Sequence, residues 1–411
     1  MQTIPSLLAT DVNPRTRGLF VKNLAEFQTE LARIQAGFIP AMSVWEHRKQ
    51  MPMLIFQSMR RVQDLRVRVR ELGLSLGQTH LSAGVAGQKL LDELCSAKTS
   101  ADLLEAGMIL IPRLLVVAIE DYLKNNNSVY DLPSVPLLEA SRNELAHQIK
   151  WAEEAVKMLE RETGQEPEVG WIEKIQKLSS ELCETLHESC EKAAKPLCVS
   201  RRIGSLPLAD SVLPLGFHHL EFGPGALPTE TEYAQRERYH AMNFLQEVQA
   251  ADTCASLLFE APDMPWEFYF DISRQLWDEA RHSSFGESKL LELGSSASEV
   301  GLSTKAYALR QTLLPADRYA ALSTQEADAF PGKHAGLKDA VAHGDRLSAM
   351  AWSYDIADET QHVRFGNKWV PVLIAKCGDP RSFEQVKADA RNWRQSVLAQ
   401  MYNPAAAFFG R

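Results

Sequence analysis

Cysteine chemistry has little to work with in this chain. Its 411 residues include six cysteines, Cys95, Cys183, Cys190, Cys198, Cys254 and Cys377, with no Cys-x-x-Cys pair and no zinc-type spacing. That argues against a disulfide-stapled scaffold or a sulfur-ligated zinc site, and the thiols are read as free in a reducing compartment. Positive charge is also in deficit: 44 Lys and Arg stand against 53 Asp and Glu, for a net charge of -9. Such a surface repels a phosphate backbone, so nucleic acid is a disfavoured partner. Long apolar runs are missing too. The longest, around Ala106 to Ile119, is split by Pro112 and Arg113 and is too short to span a bilayer. Met1 to Phe20 carry Asp11, Pro14, Arg15 and Arg17 where a secretory leader needs an uninterrupted apolar stretch. A cytoplasmic protein that does not enter the membrane is expected. Finally, alternating apolar and polar runs bounded by hairpin turns are absent, which leaves no strand signal.

What remains is helical periodicity. Apolar positions recur at three- and four-residue spacing in nearly every segment, which predicts an all-α protein. In the first half, helices are expected near Gly18–Ala36, Met42–Leu72, Ala83–Ser96, Ala101–Lys124, Pro136–Thr163 and Gly170–Ala193. Between Lys195 and Glu230 the pattern is interrupted by Pro196, Gly204, Pro207, Pro214, Gly216, Gly223, Pro224, Gly225 and Pro228. The chain length suits about two domains. Residues 1–194 are therefore read as one helical bundle, 195–230 as a linker and 231–411 as a second domain. In that domain, helices near Thr231–Glu260, Pro265–Gly294, Ser303–Ala329 and Gly344–Lys376 form a four-helix bundle, with an added helix over Pro380–Tyr402.

One nine-residue pattern occurs twice in the second domain. Asp278-Glu279-Ala280-Arg281-His282-Ser283-Ser284-Phe285-Gly286 and Asp358-Glu359-Thr360-Gln361-His362-Val363-Arg364-Phe365-Gly366 share Asp-Glu-x-x-His-x-x-Phe-Gly, 80 residues apart. On a helix, a Glu and the His three positions later share one face, so each copy offers a carboxylate and an imidazole to one point. A two-metal bundle of this type also takes one Glu from each of two further helices. In antiparallel helices, ligands at equal height lie equally far from the turn. The midpoint of Glu247 and Glu279 is Asp263, between the breakers Pro262 and Pro265, whereas the midpoint of Glu260 and Glu279 falls inside the apolar run Trp266–Phe270. The midpoint of Glu326 and Glu359 lies beside His343-Gly344-Asp345; Asp328 passes almost as well, but Glu326 better matches the 80-residue offset. The expected ligand set is Glu247, Glu279, His282, Glu326, Glu359 and His362. Four carboxylates and two imidazoles suit iron or manganese, as Fe/Fe, Mn/Fe or Mn, better than structural zinc.

Asp278 and Asp358 precede the ligand glutamates, and each is expected to accept the free ring N–H of the histidine on the opposing helix. Phe285 and Phe365, each followed by glycine, read as packing residues where helices approach. Trp352 and Asp355 share the ligand face and are expected to line the cavity, with a core aromatic as the commoner reading of Trp352. Other carboxylate–histidine pairs read as decoys. Glu120 with Glu144 and His147 makes half a site, but the helix that would complete it, Gln57–Arg66, carries arginines that repel a metal. Glu184 and His187 lack a partner helix, and His218-His219 sit in the irregular linker.

These residues resemble the ferritin-like di-iron carboxylate superfamily. The run from about Tyr239 to Trp369 is similar to uncharacterised bacterial ferritin-like domain proteins related to tRNA hydroxylases, through Glu247-Val248-Gln249-Ala250, Asp278–His282, Gln325-Glu326-Ala327 and Asp358–Trp369. It covers roughly a third of the chain. Gln361 stands where many relatives carry Arg, as Arg281 does in the first copy. The resemblance implies a ferritin-like bundle with two iron ions and O2 as co-substrate, serving hydroxylation, desaturation, oxidative cleavage or ferroxidation. The expectation is an oxidase or oxygenase of a small-molecule substrate, drawing on an electron donor. The alternatives are a ferroxidase or iron-handling protein, an interaction protein with a structural metal, and, weakened by the negative charge, a tRNA hydroxylase. The first domain then reads as a degenerate ferritin-like copy acting as scaffold, lid or homodimer interface.

Overall fold

The computed structural model describes residues 14–76, 84–125, 129–186, 211–220, 232–261 and 263–401. Every regular element among the described residues is helical, so the fold is all-α. None of these helices is long and apolar enough to cross a membrane. The chain divides into two compact units, residues 1–41 with 54–209 and residues 42–53 with 210–411. The sequence places 42–53 with the first domain; it belongs to the second unit instead. The division between the units otherwise falls at 209/210, inside the expected linker.

The first unit contains α1 (Pro14–Gly37), α2 (Trp45–Glu71) from Leu54 onward, α3 (Gly84–Leu94) and α4 (Ser100–Leu103). A π-helical stretch over Leu104–Leu110 follows, then α5 (Ile111–Lys124), α6 (Ser134–Thr163) and α7 (Val169–Thr185). Its core buries Phe20, Phe27, Leu90, Leu104, Ile119, Leu145 and Leu159 together with polar residues such as Asn23, Arg33, Gln35 and Asp102.

The second unit contains α8 (Tyr233–Gln246), α9 (Val248–Glu260), α10 (Trp266–Glu292), α11 (Ala297–Val300), α12 (Lys305–Gln311), α13 (Pro315–Ala342), α14 (Arg346–Lys376) and α15 (Phe383–Met401). α10 packs on α8, α9 and α14, and α13 packs on α9, α14 and α15. Two expected helices change. Thr231–Glu260 is interrupted at Glu247, where the amide of Glu247 bonds back only three residues, to Phe244. Ser303–Ala329 becomes α12 plus α13, because Pro315 opens a new helix that continues past Pro331 to Ala342. An internal proline costs about 3 kcal/mol. The turns beyond it nevertheless pack inward, burying Lys333, Gly336 and Ala340. The following turn at His343-Gly344 uses a left-handed glycine (φ 68°), and Asp345 caps α14 by accepting from the Ser348 amide at 3.0 Å. The stretch 211–220, expected as linker, packs on this unit. Leu213 and Phe217 cover the cluster of Trp45, Met242, Leu245 and Leu290, and Arg48 forms an ion pair with Asp252 and donates to Ser211.

The glycines ending the two repeated motifs have one use. A Cβ at Gly286 would stand 2.3 Å from the Ala241 carbonyl oxygen, and one at Gly366 would stand 2.3 Å from Ser323 Cβ. They let α10 close on α8 and α14 close on α13. Gly332, in contrast, meets nothing within 4 Å. Gly286→Ala should therefore destabilise the fold by about 1–3 kcal/mol or more, since backbone must shift. Gly332→Ala should stabilise it by about 0.5–1 kcal/mol through helix propensity. Chemical denaturation of both variants checks the opposite signs.

Candidate metal centre

Four segments of the second unit aim polar side chains inward at one height. α10 supplies Glu279 and His282 one turn apart; α14 supplies Asp355, Glu359 and His362 on a single face; α13 supplies Glu326; the α8–α9 break supplies Glu247. The ligand atoms fall into two groups, each within 4.8 Å: Glu247, His282, Asp355 and Glu359, and Glu279, Glu326, Glu359 and His362. Glu359 belongs to both. His282 Nδ1 lies 3.0 Å from Glu247, 3.6 Å from Asp355 and 3.8 Å from Glu279. His362 Nδ1 lies 3.2 Å from Glu279, 3.6 Å from Glu359 and 3.9 Å from Glu326.

Whether these residues fit metal ions is tested by their unused valence. Both histidine Nδ1 atoms, Glu247 Oε2, Glu326 Oε2, Asp355 Oδ2 and Glu359 Oε2 are buried and make no well-aligned hydrogen bond, although His282 Nδ1 and Glu247 Oε2 stand 3.0 Å apart. Buried polar atoms are nearly always paired, so six convergent exceptions require an explanation. Two cations ligated by oxygen and imidazole nitrogen satisfy all six, and such a donor set suits iron or manganese.

Behind the imidazoles the two repeats cross. His282 Nε2 lies 3.2 Å from Asp358, and His362 Nε2 lies 3.4 Å from Asp278. Each aspartate thus faces the ring of the opposing helix, which turns that ring's Nδ1 inward. Arg281 bridges the pair, at 2.7 Å from Asp278 and 2.5 Å from Asp358, and Arg274 adds a bond to Asp278 at 2.8 Å. One arginine serves both copies, so Gln361 can stand exposed where an arginine might be expected. Lys368 engages Asp271 instead. Tyr319 donates to Gln275, which in turn donates to Glu326 at 2.8 Å.

The electrostatics follow from crowding. Burial, then the charges of Glu359 and Glu279, push the Glu326 carboxyl well above its usual range. Burial opposes ionisation of Glu279 as well, but the imidazoles of His282 and His362 beside it outweigh that and hold its carboxyl well below the usual range. Burial also lowers both imidazoles; Asp358, Glu247 and Glu279 around His282, and Asp278, Glu279 and Glu359 around His362, override it and raise them well above the ordinary value. Metal binding at these side chains would compete with protons for the same lone pairs.

All six residues selected from the sequence are brought together, and the rejected ones have other partners. Glu260 forms an ion pair with Arg318, and Asp328 with Arg391 and Arg394. In the first unit Glu120 and His147 are exposed, and Glu144 meets Arg61 at 2.6 Å. His218 and His219 are exposed, while His187 lies outside the described residues. Three residues of the site escape the motif arithmetic. Asp355, expected only as cavity lining, belongs to the first ligand group; Lys333 contacts Asp355 and Glu359; Gln275 holds Glu326. The available signal was register: Asp355 and Gln275 lie four residues before Glu359 and Glu279, and Lys333 lies two turns beyond Glu326.

Comparisons with protein-family models, with curated proteins and with solved structures find no match. Asp278→Asn and Asp358→Asn should each lower metal affinity about 10–100-fold, because the imidazole loses its anionic orienting partner. Calorimetric titration of each variant with a divalent ion checks this, and unchanged affinity would mean the aspartates serve only the arginines.

Proposed function

We propose that the second unit is a ferritin-like four-helix bundle holding two iron ions, and that the protein is a non-haem, O2-dependent oxidase or oxygenase of a small organic molecule. The observation that carries this reading is the set of six buried donor atoms without a well-aligned hydrogen bond, shared between two groups with Glu359 in common. When bound, an iron pair would supply the redox equivalents that reduce O2, which amino-acid side chains lack. An oxygenase of this type also needs an electron donor; manganese in one or both positions is the nearest alternative to iron.

The residues of this chain fix the ligands and exclude water. Asp278 and Asp358 orient the histidines, Gln275 holds Glu326, and Arg281 ties the two repeats together. Glu247, at the helix break, has the most exposed ligand side chain, at 24 % against 0–6 % for the others. It is the ligand freest to change its mode of attachment. Phe244, Phe285 and Trp352 lie one turn from Glu247, His282 and Asp355, and they wall a recess with Glu237, His240 and Ser348. Its free volume of about 10 Å³ admits one water-sized molecule. An organic substrate would enter by displacing these aromatic side chains. The partly exposed Glu247 edge of the site fits a second reading, a ferroxidase that oxidises Fe(II) with no organic substrate.

Anaerobic reconstitution with Fe(II), metal counting and then mixing with O2 tests the proposal. Two irons per chain and an O2-dependent change in the optical spectrum are expected, and Glu279→Ala and His362→Ala should each lose at least one iron. Fewer than two irons in the wild type, or wild-type loading in both variants, would overturn the di-iron assignment. A spectrum indifferent to O2 would leave only a structural metal. Turnover of added Fe(II) in excess of the bound pair would select the ferroxidase.

A further inference from the structure

The two halves of the centre follow one pattern and then depart from it. Four residues before Glu359 stands Asp355, and four before Glu279 stands Gln275. Seven residues after Glu326 stands Lys333, and seven after Glu247 stands Cys254. One half therefore carries an Asp and a Lys where the other carries two uncharged side chains. The charged residues find each other. Lys333 Nζ donates to Asp355 Oδ1 at 2.7 Å and to Glu359 Oε1 at 2.8 Å, and lies 4.0 Å from Glu247 Oε1. Its side chain is 9 % exposed, so these carboxylates are its solvent.

Charge counting gives the ammonium a role. Asp278 and Asp358 are matched on the outside by Arg274 and Arg281. Inside, five carboxylates converge: Glu247, Glu279, Glu326, Asp355 and Glu359. Two divalent ions with neutral imidazoles leave one negative charge over, and Lys333 cancels it. The lysine is not shared evenly. It contacts two of the four ligands in the group of Glu247, His282, Asp355 and Glu359, and lies near a third. In the other group it touches only the common Glu359. An ammonium there occupies carboxylate lone pairs and repels an incoming cation at short range.

We propose that Lys333 is a fixed cation of the metal centre that makes the two metal positions unequal. The position formed by Glu279, Glu326, Glu359 and His362 fills first; the one formed by Glu247, His282, Asp355 and Glu359 fills second and more weakly. The inference rests on the two-metal reading above. It gives the protein an intermediate with one ion bound, in which Lys333 balances Asp355 until the second ion arrives. That state is also the one in which two different metals would be taken up in a defined order.

Anaerobic calorimetric titration of the full chain with Mn(II) alone tests it. The wild type should bind two ions in two separable steps; Asp355→Asn should remove the weaker step and Glu326→Gln the tighter one. Lys333→Met should strengthen the weaker step by about tenfold or more, the change expected when a nearby repelling charge is removed. Lys333→Arg, which keeps the charge, should retain two unequal steps. A lysine that merely supports the fold predicts the opposite sign, weaker binding in Lys333→Met. Two ions bound in one step, or a second step unchanged or weakened in Lys333→Met, overturns the inference. Should Lys333→Met fail to fold, loss of the tighter step in Asp355→Asn overturns it equally. No binding by the wild type overturns the two-metal reading itself, so the two failures are told apart.

Discussion

Five carboxylates that converge on one another, four of them buried, are the constraint on which the second unit depends. Moving an ionised carboxylate out of water costs several kcal/mol even after relaxation, and neighbours of like charge add to the cost. Such a cluster persists only if compensating positive charge is built around it or bound within it. The protein provides compensation in layers. Histidines and candidate metal positions face the cluster, Lys333 reaches in from α13, and outside the imidazoles Asp278 and Asp358 are held by Arg274 and Arg281. Each layer acts at hydrogen-bond distance, so the helices must lie close together. Gly286 and Gly366 allow that proximity, where any side chain would meet a neighbouring helix.

The duplicated motif gives an approximate internal symmetry, and the departures from it carry the chemistry. Arg281 has no counterpart at Gln361, yet it reaches both aspartates from its one position. Glu247 and Glu326 occupy matching places, but Glu247 lies at a break between two helices while Glu326 lies within one. Asp355 and Lys333 replace the neutral Gln275 and Cys254. Two copies of one motif therefore surround two candidate metal positions with unequal charge. An asymmetric pair suits a centre whose two ions differ in exposure or in identity.

Much of this was legible in the amino-acid order because helices convert spacing into direction. A three-residue interval put Glu279 with His282 and Glu359 with His362, the turn midpoint at Asp263 selected Glu247 over Glu260, and the 80-residue offset selected Glu326 over Asp328. The two rejected carboxylates are engaged by Arg318, Arg391 and Arg394. What the pattern hid depends on tertiary context. Lys333 lies beyond Ala329, where the helix was expected to end, so its place on the ligand face of α13 became visible only once the helix ran on to Ala342. Asp355 shared the ligand face by register, but its membership of the first group follows from the approach of Glu247 and His282 from other helices. Likewise, the first turns of α2 joined the second unit through Arg48 and Asp252, a pairing that no local period encodes.

The most direct measurement is anomalous diffraction from crystals of the protein grown with Fe(II) or Mn(II), recorded at the absorption edge of the metal. The account predicts two peaks inside the second unit, about 3.5–4 Å apart as in other two-metal sites. One should be bounded by Glu247, His282, Asp355 and Glu359, the other by Glu279, Glu326, Glu359 and His362. Absence of any internal peak, or peaks ligated by histidine Nε2 atoms in place of Nδ1, would contradict it.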